Sequence, residues 1–289
     1  MPRPVNHELY RDTYNQSAGG AHKEFTGMDT VHTRIFTQTT RTTCPNCGLL
    51  LWCLPACLNL QERERFDYFV EHHRPIKRDG YLHRAGSDLK SLYAIRNGFL
   101  KTSITDDEGR EQVGGFYMAG ELIGMDAIGS GKHLCDAVAL EDSDVCGISF
   151  VDLERLNREI SSLQHHFHRM MSSEIAREHS IMFLLGSMRA EERLAMFLLN
   201  VSKRYAARGY SATHFRLRMT REDIGSYLGL KLETVSRMLS QFQKDQLIVV
   251  QNKNIEIKSL DGLQQIIGNH QARQPALEIR NIDNSRKSG

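Results

Sequence analysis

The hydrophobic and polar positions of the chain form three successive patterns. Between residues 74 and 150, short alternating apolar runs are separated by glycine-rich and acidic turns, which predicts an antiparallel β-barrel or β-roll. Asn97-Gly98 lies between two of these runs and predicts a hairpin, and a second turn is expected at residues 106–109. Ahead of this module, residues 61–73 show the amphipathic pattern of a short helix.

The second pattern begins near residue 152, where apolar side chains recur every three or four residues, the spacing of a helix face. A helix of about 30 residues is longer than most packed helices, and such a stripe is typical of a two-stranded coiled coil. We therefore expect this helix to join two subunits, with packing on the core of its own domain as the alternative. The stripe consists of Leu156, Ile160, Leu163, Phe167, Met170, Ile181 and Leu184.

The third pattern, over residues 219–257, predicts a helix-turn-helix followed by a β-hairpin wing. Thr220 and Asp223 have the spacing of a capping box, with an acidic residue at its third position. Gly229 can take the positive φ that the turn between the helices requires. The second helix should start near Leu232 and bury Val235, Met238, Leu239 and Phe242.

The opposite face of that second helix carries groups suited to a DNA major groove. Arg237 can donate two hydrogen bonds to guanine, Glu233 can accept one from cytosine, and Ser236 can serve several base edges. Basic residues nearby are candidates for phosphate contacts, which add affinity without specificity. For each lysine taken alone, the alternative to a phosphate contact is an ordinary surface charge exposed to solvent. These candidates are Lys231, Lys244, Lys253 and Arg218.

The charge distribution supports a division of the chain into two modules. The composition, 40% hydrophobic and 25% charged, is that of an ordinary soluble globular protein. Residues 44–185 contain 15 Lys and Arg against 21 Asp and Glu, whereas residues 186–260 contain 13 against 7. The basic second half is therefore expected to face a polyanion. With no membrane-length apolar run and no signal-peptide core, we expect a cytoplasmic protein.

Four of the six cysteines lie close together, at positions 44, 47, 53 and 57. A reducing compartment disfavours disulfides, and the thioredoxin-like reading of Cys44-Pro-Asn-Cys47 would need a βαβ unit that the pattern does not predict. Closely spaced thiolates are typical of zinc sites and of iron–sulfur clusters, and the spacing leaves both open. Cys135 and Cys146 could each supply a remote ligand. We find no nucleophile–base set and no phosphate-binding loop in the sequence, and we therefore do not expect an enzyme.

The order of cysteine cluster, roll, long helix and winged helix-turn-helix resembles the CRP/FNR family of bacterial transcription regulators. Within that family the chain is similar to the FNR branch, the oxygen-sensing regulators of anaerobic metabolism. The resemblance covers about residues 44–260. It rests on the spacing C-x2-C-x5-C and on the segments VCGISF, LKSLYAIRNG, AGELIG, DAIGSG, AEERLA, MTREDIG, YLGL and ETVSR.

The resemblance implies an α+β fold with an N-terminal cyclic-nucleotide-binding-like β-roll, a long dimerisation α-helix and a C-terminal winged helix-turn-helix. The polar composition of both ends predicts a flexible extension (1–43) and a polar tail (263–289). Between them we expect a cysteine-rich cluster-binding segment (44–60), the sensory roll (61–150), the dimerisation helix (151–185) and the DNA-binding domain (186–262).

The resemblance also implies a cofactor. Cys44, Cys47, Cys53 and Cys146 match the family's ligands for a 4Fe–4S cluster, whereas Cys57 and Cys135 fall outside its pattern. In the family, loss of the cluster in oxygen weakens dimerisation and DNA binding. Nitric oxide, or oxidation of Cys57 or Cys135, is the alternative signal.

The implied partners are a second copy of the chain, double-stranded DNA with palindromic TTGAT-type half-sites, and RNA polymerase, which residues 101–116 would contact. Cyclic nucleotide is not expected. The Gly-Glu-Leu segment of nucleotide-binding relatives is present here as Gly120-Glu121-Leu122. His133-Leu134, however, stands where those relatives carry the Arg-Ser that binds the cyclic phosphate. We therefore expect Glu121 to stabilise the fold and not to bind a ribose. The DNA-contacting residues by this resemblance are Glu233, Thr234, Ser236 and Arg237, with Lys231 and Arg218 beside them.

Overall fold

The computed structural model of the protein describes residues 43–271, apart from the side chains of residues 269–271. The predicted extension at 1–43, except Thr43, and the end of the predicted tail lie outside these residues. The described chain begins with three short 3₁₀ turns, followed by helix α1 (Leu60–Asp67). Asn59 and Glu62 form a capping box that starts α1.

The helix predicted over 61–73 ends early. From Val70 onward the side chains alternate between partly buried and exposed, and the segment pairs as strand β1 with a later strand of the roll. Cross-strand pairing therefore prevails over the helical pattern in the second half of this stretch.

The predicted roll is confirmed. Two antiparallel four-stranded sheets pack together, with strand orders β1-β8-β3-β6 and β2-β7-β4-β5. The strands are β1 (Val70–Ile76), β2 (Tyr81–His83), β3 (Ser91–Asn97), β4 (Phe99–Thr105), β5 (Glu111–Met118), β6 (Leu122–Ile123), β7 (Asp136–Ala139) and β8 (Ser143–Ser149).

The hairpin predicted at Asn97-Gly98 is wrong, although a sharp bend does occur there. β3 and β4 belong to different sheets, so the chain crosses from one layer to the other at Gly98, which has φ +94°. A Cβ atom at Gly98 would lie 2.2 Å from Oγ of Ser143, so the bend needs glycine for space as well as for conformation. The second predicted turn does form a hairpin, which joins β4 to β5.

The single helix predicted over 151–185 is interrupted. Helix α2 (Phe150–Glu159) and helix α3 (Ser161–Ser187) are separated at Ile160, which is extended and buried. The first half of the predicted dimer stripe is also buried within the chain itself: Leu156, Ile160, Leu163 and Phe167 share a core with the roll. For these residues the alternative, packing on the chain's own core, is the correct one.

The C-terminal part contains the predicted helix-turn-helix and wing. Its elements are α4 (Ala190–Ala207), β9 (His214–Arg216), α5 (Arg221–Leu228), α6 (Leu232–Lys244), β10 (Ile248–Gln251), β11 (Asn254–Ile257) and α7 (Leu260–Gln271). Thr220 and Asp223 form the capping box of α5, and Gly229 ends it with φ +62°. The four side chains predicted to be buried on α6 are buried. β10 and β11 form the wing, with β9 at the edge of the sheet.

The tail predicted from residue 263 is wrong for its first part, because α7 continues to Gln271 and packs against α4. Leu263 is fully buried and supplies part of the apolar face that anchors this helix. Among residues 43–271, no helix is long and apolar enough to cross a bilayer.

Candidate functional site

The cysteine-rich segment is built from 3₁₀ turns that advance in three-residue steps. The amide of Cys47 donates to the carbonyl of Cys44 over 3.2 Å, and that of Leu50 donates to the carbonyl of Cys47 over 3.0 Å. The amide of Cys53 then bonds the Leu50 carbonyl over 3.3 Å. Proline early in the first and third turns suits this backbone, since its fixed φ matches the start of a helical turn.

The structure brings Cys146 to this segment. Cys146 lies within β8, opposite Ala94 of β3. Cys146 lines one pocket together with Cys44, Cys47 and Cys53. As thiolates, Cys44 and Cys47 would each repel both Cys53 and Cys146. All four residues that match the family's ligand pattern therefore lie at one place.

The other two cysteines point elsewhere. Sγ of Cys57 lies 3.4 Å from the backbone carbonyl of Ser162 on α3. Cys135 lies in the roll, where its Sγ is 3.4 Å from Oδ2 of Asp126. Neither lines the pocket of the four converging thiols.

Burial controls the chemistry of the pocket. It raises the pKa of the Cys53 thiol to about 12 and that of Cys146 to about 11. Burial, reinforced by Asp67, raises the pKa of Cys44 still further. Since the thiolate is the form that binds metals, a cation that enters this pocket must replace thiol protons. Most of the remaining lining is apolar and includes Leu50, Leu54, Phe66, Leu92 and Leu122, and its polar members are Thr43, His72 and Arg96.

Two polar residues at the pocket were missed by the sequence analysis. Oδ1 of Asp67 accepts a hydrogen bond from the amide of Cys44 over 2.5 Å, and it lies 2.9 Å from Nε2 of His72. The carbonyl of His72 in turn accepts from the thiol of Cys146 over 3.4 Å. Asp67 ends α1 and His72 lies on β1, so only the fold brings them here, and the local pattern gave no signal.

The pocket shares its core with the predicted dimerisation helices. Cys44 and Leu54 from the cysteine segment belong to one buried apolar cluster with Ile148 of β8. The cluster continues through Leu156 of α2 and Leu163 of α3. A change in the packing of the cysteine segment can therefore reach these helices through direct contacts.

The face of α6 predicted to read DNA is accessible. Glu233 and Arg237 are exposed, while Thr234 and Ser236 are half-buried. The hydroxyl of Ser236 lies 3.1 Å from Nη1 of Arg221, a basic residue that the sequence analysis did not single out. The signal that could have found Arg221 is its place as the first residue of α5, next to the recognition face.

The candidates for phosphate contacts differ in their surroundings. Lys231 is exposed at the start of α6. Arg218 forms an ion pair of 2.9 Å with Glu141, and its carbonyl accepts from Nζ of Lys253 over 3.0 Å. Arg218 and Lys253 therefore have partners within the chain that a phosphate would have to replace.

Comparison with known proteins adds independent findings. The profile of the cyclic nucleotide-binding domain matches residues 73–159, and that of the Crp-like helix-turn-helix domain matches residues 192–266. The chain is 44% identical to the transcriptional regulatory protein btr of Bordetella pertussis, over 78% of this chain and 93% of that protein. It is 45% identical to the fumarate and nitrate reduction regulatory protein of Escherichia coli K12, over 78% and 90%.

The chain belongs to the CRP/FNR family. Its similarity to fumarate and nitrate reduction regulatory proteins places it in the FNR branch. Among solved structures, FixK2 from Bradyrhizobium japonicum matches with a TM-score of 0.63 and 28% identity, over 67% of this chain and 96% of that one. The protein is thus a DNA-binding transcription regulator, and its relatives are regulators and not enzymes.

As in other CRP/FNR proteins, a roll and a helix-turn-helix are joined in one chain, and here they also touch. Nζ of Lys101 on β4 lies 2.7 Å from both Asp223 of α5 and Glu111 of β5. The Ser226 hydroxyl accepts from the amide of Val113 over 2.8 Å and donates to the carbonyl of Glu111 over 2.9 Å. Burial raises the pKa of Asp223, but the hydrogen bonds from Lys101 and Thr220 outweigh this effect and hold the pKa below its usual range.

The family's glutamate in the Gly-Glu-Leu segment has protein partners in this regulator. Arg204 of α4 and Arg208, which directly follows α4, both pair with Glu121, and the Arg208 contact measures 2.7 Å. Glu121 also accepts a hydrogen bond from the amide of Met118 over 3.1 Å. It therefore ties the roll to α4. The exclusion of cyclic nucleotide remains a prediction.

Proposed function

We propose that the protein is an oxygen-responsive regulator of anaerobic metabolism that holds one 4Fe–4S cluster per subunit through Cys44, Cys47, Cys53 and Cys146. The observation that carries this proposal is that all four cysteines line one largely apolar pocket. The fumarate and nitrate reduction regulatory proteins to which the chain is similar support the anaerobic role.

The donor set fits the proposed group. Four thiolates are the usual ligands of an iron–sulfur cluster, and the apolar lining would limit access of water to it. The cluster, when bound, would supply the reactivity toward oxygen. Four thiolates also suit zinc, so an assay for acid-labile sulfide is needed to separate the two metals.

The chain's own residues have defined tasks in this proposal. The 3₁₀ turns present Cys44, Cys47 and Cys53 from a segment that the Asp67 carboxylate anchors at the Cys44 amide. Cys146 is paired with Ala94 of β3, and on the β1 side the ladder has an irregularity between the pairs that flank it. The four ligands thus join a short, loosely structured segment to a rigid sheet.

We further propose that the active form is a homodimer joined along the exposed face of α3. Ile175, Met182 and Phe183 are between 55% and 61% exposed, a large apolar surface for one helix. Met171, Ile175, Glu178 and Met182 follow the 4-3-4 spacing of a coiled-coil seam. This face replaces the stripe that the sequence predicted, whose first half is buried in the chain.

The dimer would place two α6 helices in successive major grooves of a palindromic site with TTGAT-type half-sites. Glu233, Ser236 and Arg237 would read base edges, with Thr234 beside them. Lys231 and Arg218 would contact phosphates, Arg218 after release from Glu141. The β4–β5 hairpin within residues 101–116 is the proposed contact for RNA polymerase.

The domain boundaries follow as proposals: the cluster-binding segment at 44–60, the sensory roll at 61–150, the dimerisation region at 151–185, now two helices, and a DNA-binding domain that starts at 186 and extends to at least 271.

The test is a metal and sulfide analysis of protein purified without oxygen. The proposal predicts iron and acid-labile sulfide in equal amounts, with a visible absorbance that air removes. Zinc without sulfide would show that the pocket holds a different group and that the oxygen response needs another origin.

A further inference from the structure

A second group of metal-type ligands lies inside the roll and shares no residue with the cysteine pocket. It comprises His83 at the end of β2, Asp126 in a short 3₁₀ turn after β6, and His133 ahead of β7. One ligand atom from each residue lies within 4.8 Å of the other two. His83 and His133 are 9% and 3% exposed, so both imidazoles belong to the interior.

His83 lacks the hydrogen bonds expected of a buried imidazole. The two rings are stacked, with centroids 3.6 Å apart and planes 11° from parallel. Within the described part of the chain, neither ring nitrogen of His83 makes a hydrogen bond of regular geometry. Unpaired buried polar atoms are costly and rare, and an unobserved ion is one of the standard explanations.

Asp126 links the histidines to a thiol. Its Oδ1 lies 3.3 Å from Nδ1 of His133, and its Oδ2 accepts from the amide of Leu134 over 2.8 Å. The same Oδ2 is 3.4 Å from Sγ of Cys135. The two imidazoles and the carboxylate therefore form one close group, and the Cys135 thiol lies beside it at Asp126. These are the donor types that tetrahedral zinc takes.

The segment that carries three of these groups is well held. The amide and carbonyl of His133 bond to the backbone of Ser87 and Gly86, over 2.9 and 2.8 Å.

We propose that His83, Asp126, His133 and Cys135 form a binding site for a divalent transition ion of the zinc type. On binding, Cys135 releases its proton to solvent, and the sulfur, two ring nitrogens and one Asp126 oxygen coordinate the ion. The two rings must turn out of their parallel stack, because lone pairs in parallel planes cannot both point at one ion. An open groove lined by Tyr81, Arg84, Ser87 and Lys132 reaches both histidines and offers an entry path.

The site lies close to the proposed dimerisation helix. Asp126 and Cys135 also line a pocket with Met171, Glu174 and Glu178 of α3. An ion that ties β2 to this segment would therefore fix one wall of that pocket. The proposal does not depend on the iron–sulfur cluster, and failure of either leaves the other standing.

The test titrates Co²⁺ into full-length protein in which Cys44, Cys47, Cys53 and Cys146 are replaced by Ser, so that the other pocket supplies no thiolate. We expect one Co²⁺ per chain, with ligand-field bands of a tetrahedral ion and a sulfur-to-cobalt charge-transfer band. In this background Cys135→Ser should remove the charge-transfer band. His83→Phe should weaken binding by at least about tenfold, the size of effect seen when metal sites lose supporting groups.

The control is His165→Phe, which removes an exposed histidine of α3 and should leave the titration unchanged. His83→Gln serves as a second variant that keeps polarity at the buried position, and circular dichroism checks that each variant is folded. Failure of the parent protein to bind Co²⁺, or binding that neither His83→Gln nor Cys135→Ser alters, would overturn the proposal. The titration is repeated on the otherwise wild-type chain purified without oxygen, where the loss on His83→Gln must reappear.

Discussion

Cys53 and Cys146 line the same pocket, although Cys53 lies between two 3₁₀ turns and Cys146 lies in the middle of strand β8. The pair spans the junction between a short irregular segment and a sheet in which Cys146 is paired with Ala94 of β3. Leu54, next to Cys53, is buried against the helices that follow the roll. A group held by both thiols therefore controls how the segment packs on those helices.

The first prediction concerns the membership of the ligand set. Cys146→Ser should abolish retention of iron and acid-labile sulfide in protein purified without oxygen, because the sheet then offers no thiolate. Cys57→Ser is the matched control, since the Cys57 thiol is directed at the carbonyl of Ser162. If Cys57→Ser loses the iron and Cys146→Ser keeps it, the fourth ligand has been assigned to the wrong residue.

The second prediction concerns base recognition by α6. Arg237→Ala should cost about 1–3 kcal/mol at the preferred half-site and relax the preference at one base position. Lys231→Ala, at the start of the same helix, should weaken binding to all sequences alike and reduce the salt dependence by about one charge. Equal loss on every sequence for Arg237→Ala would contradict its role as a base reader. Fluorescence anisotropy with specific and scrambled duplexes measures both variants.

The third prediction concerns the subunit interface. Ile175→Glu should weaken dimerisation at least about tenfold, because a two-fold axis along α3 would bring the two new carboxylates together. Val151→Glu is the control, since Val151 is an exposed apolar residue on α2 and lies outside the proposed seam. Sedimentation velocity distinguishes the two variants. A dimer unaffected by Ile175→Glu would place the interface elsewhere.

The fourth prediction concerns the contact between the roll and α5. Lys101→Met leaves the Asp223 carboxylate, whose side chain is 10% exposed, without its ammonium partner, and should cost about 3 kcal/mol of unfolding free energy. The double variant with Asp223→Asn should recover part of this loss, because no buried charge then remains. Urea unfolding of both variants measures the difference.

The ion pair between Lys101 and Asp223 also makes the free energy of unfolding depend on pH, in a direction that the pKa of Asp223 fixes. The folded-state pKa of Asp223 lies below its unfolded value, so its contribution is present above about pH 4 and is lost as the pH falls toward the folded pKa. Asp223→Asn should therefore flatten part of the acid limb of the stability curve. An unchanged acid limb in this variant would show that the carboxylate is not stabilised by folding.

The sequence predicted best those features that short-range interactions determine. The capping box at Thr220, the turn at Gly229 and the buried face of α6 each depend on residues within one helix or turn, and all three are confirmed. Most strands of the roll were also predicted from their short apolar runs, whereas the first part of β1 was assigned to a helix.

Errors arose where a local signal had several possible long-range outcomes. A glycine bend at Gly98 suits a hairpin and a crossing between sheets equally well, and only the packing of Ser143 against it decides. The apolar stripe around Leu156 indicates a buried helix face, but it does not say whether the same chain or a second subunit covers that face. Asp67 and His72 approach the cysteines through the tertiary fold alone.

The central claim is that an oxygen-sensitive group held by the four converging cysteines controls dimerisation. Sedimentation velocity of one sample, first without oxygen and then after exposure to air, with iron and sulfide measured at both points, tests it most directly. The account predicts a dimer that contains iron and sulfide, and a shift toward monomer as both are lost. A sample that loses its iron and sulfide in air and keeps the same dimer population would contradict the claim.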